Sequence, residues 1–332
     1  MNLQLWTYRF QKYKRLFGAA SWAIITSIPL LFRQLFGQKI VVIVLSEQFG
    51  DIVAIEPLAR GIRKAYPKAH LLWVVKSPFA QVIDMFGYIN QKILIINTLQ
   101  RIFLIKTLAF AKVFNLHLSD NHHPDLLQRH QNPAADALGI NVFNYLNHGN
   151  LLNVFSTIAG ITPPNDFPTL TIPPPTKHKI DTLALASNTV VVHCHSNYTP
   201  KDWQDKHWQK LIEKLIEKGF FVVEIGLNSS LNIVNNQYQN LCGKLSLAES
   251  AELISRAKFF VGIDSGPAHF ANAFGVFGFI LQGKLNNFEV YNVYSGHYTN
   301  PQKVCIINNP NGSCSELNFE DVWQKVDTRI LG

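Results

Sequence analysis

The chain has 332 residues, room for two domains of ordinary size that each bury a sheet. Hydrophobic content of 47% with only 16% charged residues excludes a disordered chain and describes a surface that is partly sticky or membrane-facing. A formal charge of +8 favours an anionic partner, but the basic residues are scattered, which points to phosphorylated small molecules or anionic lipid and away from nucleic acid.

Residues 1–38 differ from the rest. Arg9, Lys12, Lys14 and Arg15 precede a mostly apolar run, Leu16 to Phe32, and Trp6, Tyr8, Phe10, Tyr13 and Trp22 are spread through the segment. A spanning helix needs about 20 apolar residues. This run has 17, contains Gly18 and Pro29, and is followed by Arg33. As a signal anchor it would send the body outside, where nucleotide donors are absent, and Ser27-Ile28-Pro29-Leu30 is a poor cleavage site. An in-plane, monotopic helix or helical hairpin is therefore expected, separable by deletion from a folded body. The alternative is an amphipathic helix packed on that body.

From Lys39 the pattern becomes β-α-β: Ile40 to Leu45, a periodic stretch from Asp51 to Tyr66, then Leu71 to Val75. Apolar runs at Ile93 to Ile96 and Val113 to Leu118 extend a parallel sheet, and Asn121 to Gln131 is polar and irregular. This first domain covers 39–161. Prolines from Pro163 to Pro175 mark a stiff linker over 162–176, and the second domain covers 177–332. It opens with Val190 to His193, a helix with Trp208, Leu211, Ile212, Leu215 and Ile216 on one face, and a strand from Phe220 to Ile225. Ser246-Leu247-Ala248-Glu249 reads as a capping box. The order describes two Rossmann-like α/β domains facing a cleft. The four cysteines, Cys194, Cys242, Cys305 and Cys314, have no CxxC spacing and are expected to be reduced thiols of a cytosolic protein.

Three turns carry chemistry. In Phe259 to Ala273 a buried strand ends at Asp264-Ser265-Gly266-Pro267 and a small-residue helix begins at once, with Ser265 able to cap it, Pro267 in its first turn and His269 facing its mouth. Free N–H groups and the dipole there suit a pyrophosphate, although an ordinary capped helix has the same form. In Ser46-Glu47-Gln48-Phe49-Gly50-Asp51 the helix start already holds a carboxylate. The dipole is expected to keep Asp51 ionised at an ordinary pKa, so that it can take a proton from an attacking hydroxyl; a simple N-cap aspartate is the alternative. In the loop from Cys194 to Trp203, Lys201 can neutralise a departing diphosphate and Ser196 can hydrogen-bond it. His193 and His195 read as packing groups, and His117, His122, His123 and His130 lack a metal-binding spacing and read as a polar loop.

Together with Lys201-Asp202-Trp203, His207-Trp208 and Gly243-Lys244-Leu245-Ser246-Leu247, the Gly50-Asp51 and Asp264-Ser265-Gly266-Pro267-Ala268-His269 segments resemble glycosyltransferase family 9, the heptosyltransferases of lipopolysaccharide core assembly. The resemblance spans about residues 39–300. It implies the GT-B type of fold and inverting transfer from a nucleotide sugar, ADP-heptose in the usual case, with no metal and no cofactor. It implies Asp51 as base, Ser196 and Lys201 on the diphosphate, and Asp264, Ser265, Gly266 and His269 around the donor. Leu245 falls on the adenine side, and Gln48 and Gly50 on the acceptor or phosphate side. The implied acceptor is a lipid-linked glycan at the anionic cytoplasmic face of a bacterial inner membrane, where residues 1–38 would lie. Three departures are visible: those additional residues, the absence of a ribose-binding acid in Leu227-Asn228-Ser229-Ser230, and Gln282-Gly283-Lys284-Leu285 in place of a Gly-Pro-Thr type of turn. A different nucleotide sugar, an epimerase on a similar fold, or a non-catalytic nucleotide-sugar or lipid-binding protein are the rival readings. A serine hydrolase is disfavoured, because Gly262 to Gly266 lacks the GxSxG spacing.

Overall fold

The computed structural model describes residues 3–285, 288 and 291–331; residues 1 and 2 of the extension and Gly332 lie outside that range. In chain order the elements are α1 (Leu3–Leu35), β1 (Ile40–Val44), α2 (Phe49–Ala54), α3 (Glu56–Ala65), β2 (His70–Lys76), α4 (Ala80–Asp84), β3 (Gln91–Ile95), α5 (Thr98–Thr107), β4 (Lys112–Asn115) and α6 (Pro133–Ala137). Then follow α7 (Leu151–Ile158), α8 (Pro174–Asp181), β5 (Thr189–His193), α9 (Asp205–Glu217), β6 (Phe221–Glu224), β7 (Tyr238–Asn240), α10 (Leu247–Ser255), β8 (Phe259–Ile263), α11 (Gly266–Phe274), β9 (Gly278–Gly283), β10 (Val304–Asn309) and α12 (Phe319–Leu331). The chain divides into two compact units. One holds residues 1–47, 58–142 and 155–162; the other holds 48–57, 143–154 and 163–332.

The first unit is built on a parallel sheet in the order β3-β2-β1-β4. Its central strands β1 and β2 are near-continuous apolar runs because both faces are covered, and β1 is buried along its whole length. One cover is α1. Ala19, Ala23, Ser27 and Leu30 recur at helical spacing and are buried, and Ala23 and Leu30 join Val42, Val44, Leu72 and Leu104 in one core. The extension is thus a single helix and not a hairpin. Pro29 removes only one backbone donor, which the flanking turns tolerate, and Ser27 Oγ bonds the Ile24 carbonyl. Its other faces leave Phe10, Phe17, Ile25, Phe32 and Leu35 exposed. Deleting residues 1–38 would therefore open the core of this unit, contrary to the expectation of a separable segment.

The second unit holds a six-stranded parallel sheet in the order β10-β9-β8-β5-β6-β7. Strand order reverses between β8 and β5, so the turns that follow these two neighbours open on the same edge. Its core gathers Val190, Val192, Val261 and Leu281 from the strands with Trp203, Trp208 and Leu211 from the β5–α9 connection and α9. Trp203 Nε1 donates to the Leu317 carbonyl at 2.8 Å, which pins the loop that carries Lys201. All four cysteines are free thiols.

Candidate active site

The site is assembled within the second unit, around the crossing of α2 with α11. Two glycines make that crossing possible. A Cβ on Gly50 would come 2.7 Å from His269 Cδ2 and 3.2 Å from Gly266 Cα, and one on Gly266 would collide with the Phe49 ring. Phe49 also packs on Phe270 with ring centroids 5.2 Å apart. Entry to α2 is made at Gln48, whose φ of 65° and ψ of 87° lie in a region that side chains disfavour.

This close approach sets Asp51, in the first turn of α2, beside Lys201 and Asp264. Burial pushes its carboxyl up to about 7; the Lys201 charge pulls it down and the Asp264 charge pushes it further up. The ordinary pKa expected from the helix dipole is corrected here. A helix of six residues offers too small a dipole to offset desolvation, and among the described residues no ion pair is made with Asp51.

Asp264, at the end of β8, meets the opposite fate. Lys201 Nζ donates to Asp264 Oδ2 at 2.8 Å, Tyr294 donates to Oδ1 at 2.6 Å, and the Tyr291 hydroxyl also donates to Oδ2. Burial works against the charge, but Lys201, His269 and these donors outweigh it and bring the carboxyl down to about 2. Buried and held by three donors, it presents to a ligand a fixed lysine. Lys201 also contacts the Asp264 carbonyl at 3.3 Å, and its ammonium has three donors, which leaves one for an anion.

Ser265 stands at the N-cap of α11 but does not cap it. Its hydroxyl donates to the Ile263 carbonyl at 3.2 Å and meets His193 Nδ1 at 3.0 Å, so the expected capping bond is absent and the N–H groups of the first turn are free of it. His193 is held neutral by burial, which lowers it to about 4. Burial likewise brings His269 down to about 4, and its Nδ1 has no hydrogen-bond partner among the described residues, a demand that a polar ligand can meet. Ser196 Oγ donates to Asp202 Oδ1 at 2.9 Å and to the Tyr198 carbonyl, in the loop leading to Lys201. Leu245 is half-buried beyond β7, just ahead of the capping box, in which Ser246 Oγ accepts from the Glu249 N–H and Glu249 from that of Ser246.

Sequence reasoning missed the tyrosines. Tyr291 and Tyr294 carry no motif, and Tyr145, whose hydroxyl burial and the nearby Asp51 and Asp264 charges push upward, comes from a separate stretch of chain. Their only signal is the Tyr-x-x-Tyr spacing of residues 291–294.

The histidine run lies in the first unit. His117 Nε2 accepts from the Ser46 N–H at 2.9 Å, and His130 faces Arg101, which itself lies 3.9 Å from Glu47. Among the described residues no group of three or more His, Cys, Asp or Glu side chains is arranged to hold a metal ion.

Sequence comparison with curated proteins finds no match. The model of glycosyltransferase family 9 (heptosyltransferase) matches residues 150–277, a stretch that holds every donor-side candidate but not Asp51. Among solved structures, the family 9 glycosyl transferase of Veillonella parvula superposes with a TM-score of 0.65 at 16% identity, over 88% of this chain and 97% of that one. The ADP-heptose lipopolysaccharide heptosyltransferase II of E. coli gives 0.61 at 19% identity, over 89% and 99%. The E. coli heptosyltransferase WaaC with ADP gives 0.59 at 15%, over 87% and 99%. At these identities the structures speak for the fold, and the sequence match speaks for residues 150–277. The chain thus shares the GT-B type of fold of these structures, and its residues 150–277 are similar to glycosyltransferase family 9.

Proposed function

We propose that the protein transfers a heptose from ADP-heptose to a lipid-linked lipopolysaccharide or lipooligosaccharide core acceptor, with inversion at the anomeric carbon and without a metal ion. The observation that carries this reading is the pair of carboxyl groups around Lys201: Asp264 held ionised and paired, Asp51 without an ion pair among the described residues and poised near neutrality. An acceptor hydroxyl attacks the anomeric carbon while the bond to the diphosphate oxygen breaks. The hydroxyl proton passes to the Asp51 carboxylate, and the departing diphosphate meets Lys201 and the positive N-terminal end of α11. These groups supply the positive charge that a metal would otherwise bring. The relatives described as ADP-heptose transferases or holding ADP support the choice of donor.

The test is calorimetric titration with ADP, UDP and ADP-heptose, with and without a chelator. Tight binding of ADP and ADP-heptose that a chelator does not alter is expected. Preference for UDP would redirect the donor, loss of binding or turnover with chelator would overturn the metal-free reading, and no binding at all would favour a non-catalytic role.

We place the protein on the cytoplasmic face of the bacterial inner membrane. By length and composition α1 holds a stretch, Trp6–Leu35, apolar enough to cross a membrane. The stripe that packs in the core favours a helix lying in the interface, with Arg9, Lys12, Lys14 and Arg15 toward lipid phosphates. Phe10→Asp with Phe17→Asp alters only exposed positions and should release the protein from anionic vesicles without lowering its melting temperature. Undiminished vesicle binding would refute it.

A further inference from the structure

At the same sheet edge of the second unit, one strand beyond the Lys201–Asp264 pair, three side chains converge, two from the ends of the β5–α9 connection and one from the loop after β6. His195 follows β5, Asp205 opens α9, and Ser230 lies in the loop after β6. His195 Nε2 is 2.8 Å from Asp205 Oδ1, Ser230 Oγ donates to Asp205 Oδ2 at 2.6 Å, and Ser230 Oγ is 3.2 Å from His195 Nε2.

The trio resembles a nucleophile-base-acid arrangement, but its geometry denies one. In such a relay the base touches the acid and the hydroxyl through opposite ring nitrogens. Here His195 Nε2 faces both, and the serine proton already points to the carboxylate. What the arrangement does is hold a carboxylate in one orientation from two sides. Each Asp205 oxygen is engaged once, which leaves acceptor capacity on both, and the side chain is 53% exposed. An oriented carboxylate with spare lone pairs, open to solvent, suits a pair of neighbouring hydroxyls.

Position gives the hydroxyls an owner. Along the edge the strands run β8, β5, β6, β7. The phosphate turn follows β8, Lys201 follows β5, and Leu245 follows β7. A nucleoside diphosphate laid across this edge has its phosphates at the first of these and its base at the last, so its ribose falls at β5–β6. No residue of Leu227-Asn228-Ser229-Ser230 brings an acid there, whereas α9 does.

We propose that Asp205, oriented by His195 and Ser230, accepts hydrogen bonds from the 2′- and 3′-hydroxyls of the donor's ribose and so selects ribonucleotides. This rests on the nucleotide-sugar reading above and adds a specificity residue to it. The alternative is that the trio only ties the loop after β6 to α9.

The experiment compares ADP, 2′-deoxy-ADP and 3′-deoxy-ADP by titration on the wild-type protein and on Asp205→Asn and Asp205→Ala, with melting temperatures recorded. Wild type should bind ADP about tenfold more tightly than either deoxy analogue, a difference that hydrogen bonds to a charged acceptor supply. Asp205→Ala should bind all three alike, at the level of the deoxy analogues, with Asp205→Asn in between. Equal discrimination in wild type and both variants overturns the proposal, as does a wild type that ignores the hydroxyls. The same series with UDP and 2′-deoxy-UDP separates the two readings, since the diol is common to both nucleotides. Binding of UDP alone breaks the ADP-heptose reading and leaves the diol test intact, and binding of neither nucleotide overturns both.

Discussion

Two aspartates a few residues from a helix start, Asp51 at α2 and Asp264 at α11, carry the same side chain to opposite ends of the carboxylate scale, about 7 and about 2. Burial pushes both carboxyls upward, so burial alone does not separate them. Partners do. Asp264 takes an ammonium and two phenol donors, while Asp51 reaches the same lysine only through space. A single cation shared unequally makes one carboxyl a permanent anion and leaves the other free to take and release a proton near neutrality, the division of labour that acid–base chemistry at pH 7 requires.

The hardest blow to this contrast is Asp51→Asn. It should lower turnover by about a hundred- to ten-thousandfold, the span usual for a general base, while ADP affinity is retained. Turnover within a few-fold of wild type would remove Asp51 from the chemistry.

The pH profile sharpens the same point. If Asp51 must be ionised, kcat/KM should fall about tenfold per pH unit below about 7 and level off above it. Stability runs the other way. The folded state holds this proton more tightly than the unfolded chain, whose carboxyl keeps its ordinary 3.8, so wild-type stability declines as pH rises from about 4 to about 7. Asp51→Asn lacks that decline. Its melting temperature should exceed that of wild type at pH 8, and the gap should close toward pH 4. A gap independent of pH would mean that the carboxyl is not perturbed.

Geometry can be broken separately from charge. Gly266→Ala drives a methyl group into the Phe49 ring and should cost about 1–3 kcal/mol, the usual range for overpacking, together with loss of turnover as α2 is displaced. Phe49→Leu added to it should restore part of both, and a strictly additive pair would refute the contact. The smallest effect is at Gln48, where replacement by glycine relieves a left-handed backbone and should stabilise by about 1 kcal/mol in urea titrations.

Much of this site was legible in the sequence because backbone chemistry announces it. A strand ending in Gly-Asp, another ending in Asp-Ser-Gly-Pro, and Ser246 three residues ahead of Glu249 are local patterns whose geometry follows from the residues themselves. The rest depends on what arrives from a distance. Ser265 has the residue type of a cap, but His193 draws its hydroxyl away. Asp51 has the position of an ionised N-terminal carboxylate, but the packing of α2 on α11 removes its water. Tyr145, Tyr291 and Tyr294 are ordinary aromatics until the fold turns two hydroxyls onto Asp264 and brings the third near both carboxylates. The hydropathy of α1 likewise reads as a segment apart, because Ala19, Ala23 and Leu30 are no more apolar than the residues it leaves exposed.

That last helix joins attachment to folding. Its inner stripe closes the hydrophobic core of the first unit and its outer faces are apolar and open, so whatever covers the outside also holds the inside shut. A surface that binds the folded helix more tightly than the unfolded chain acts as a ligand for the native state and raises its stability by mass action. The proposed membrane would then be both the place where the enzyme works and a contributor to its fold, and detergent chosen to solubilise the protein would set how stable the first unit is.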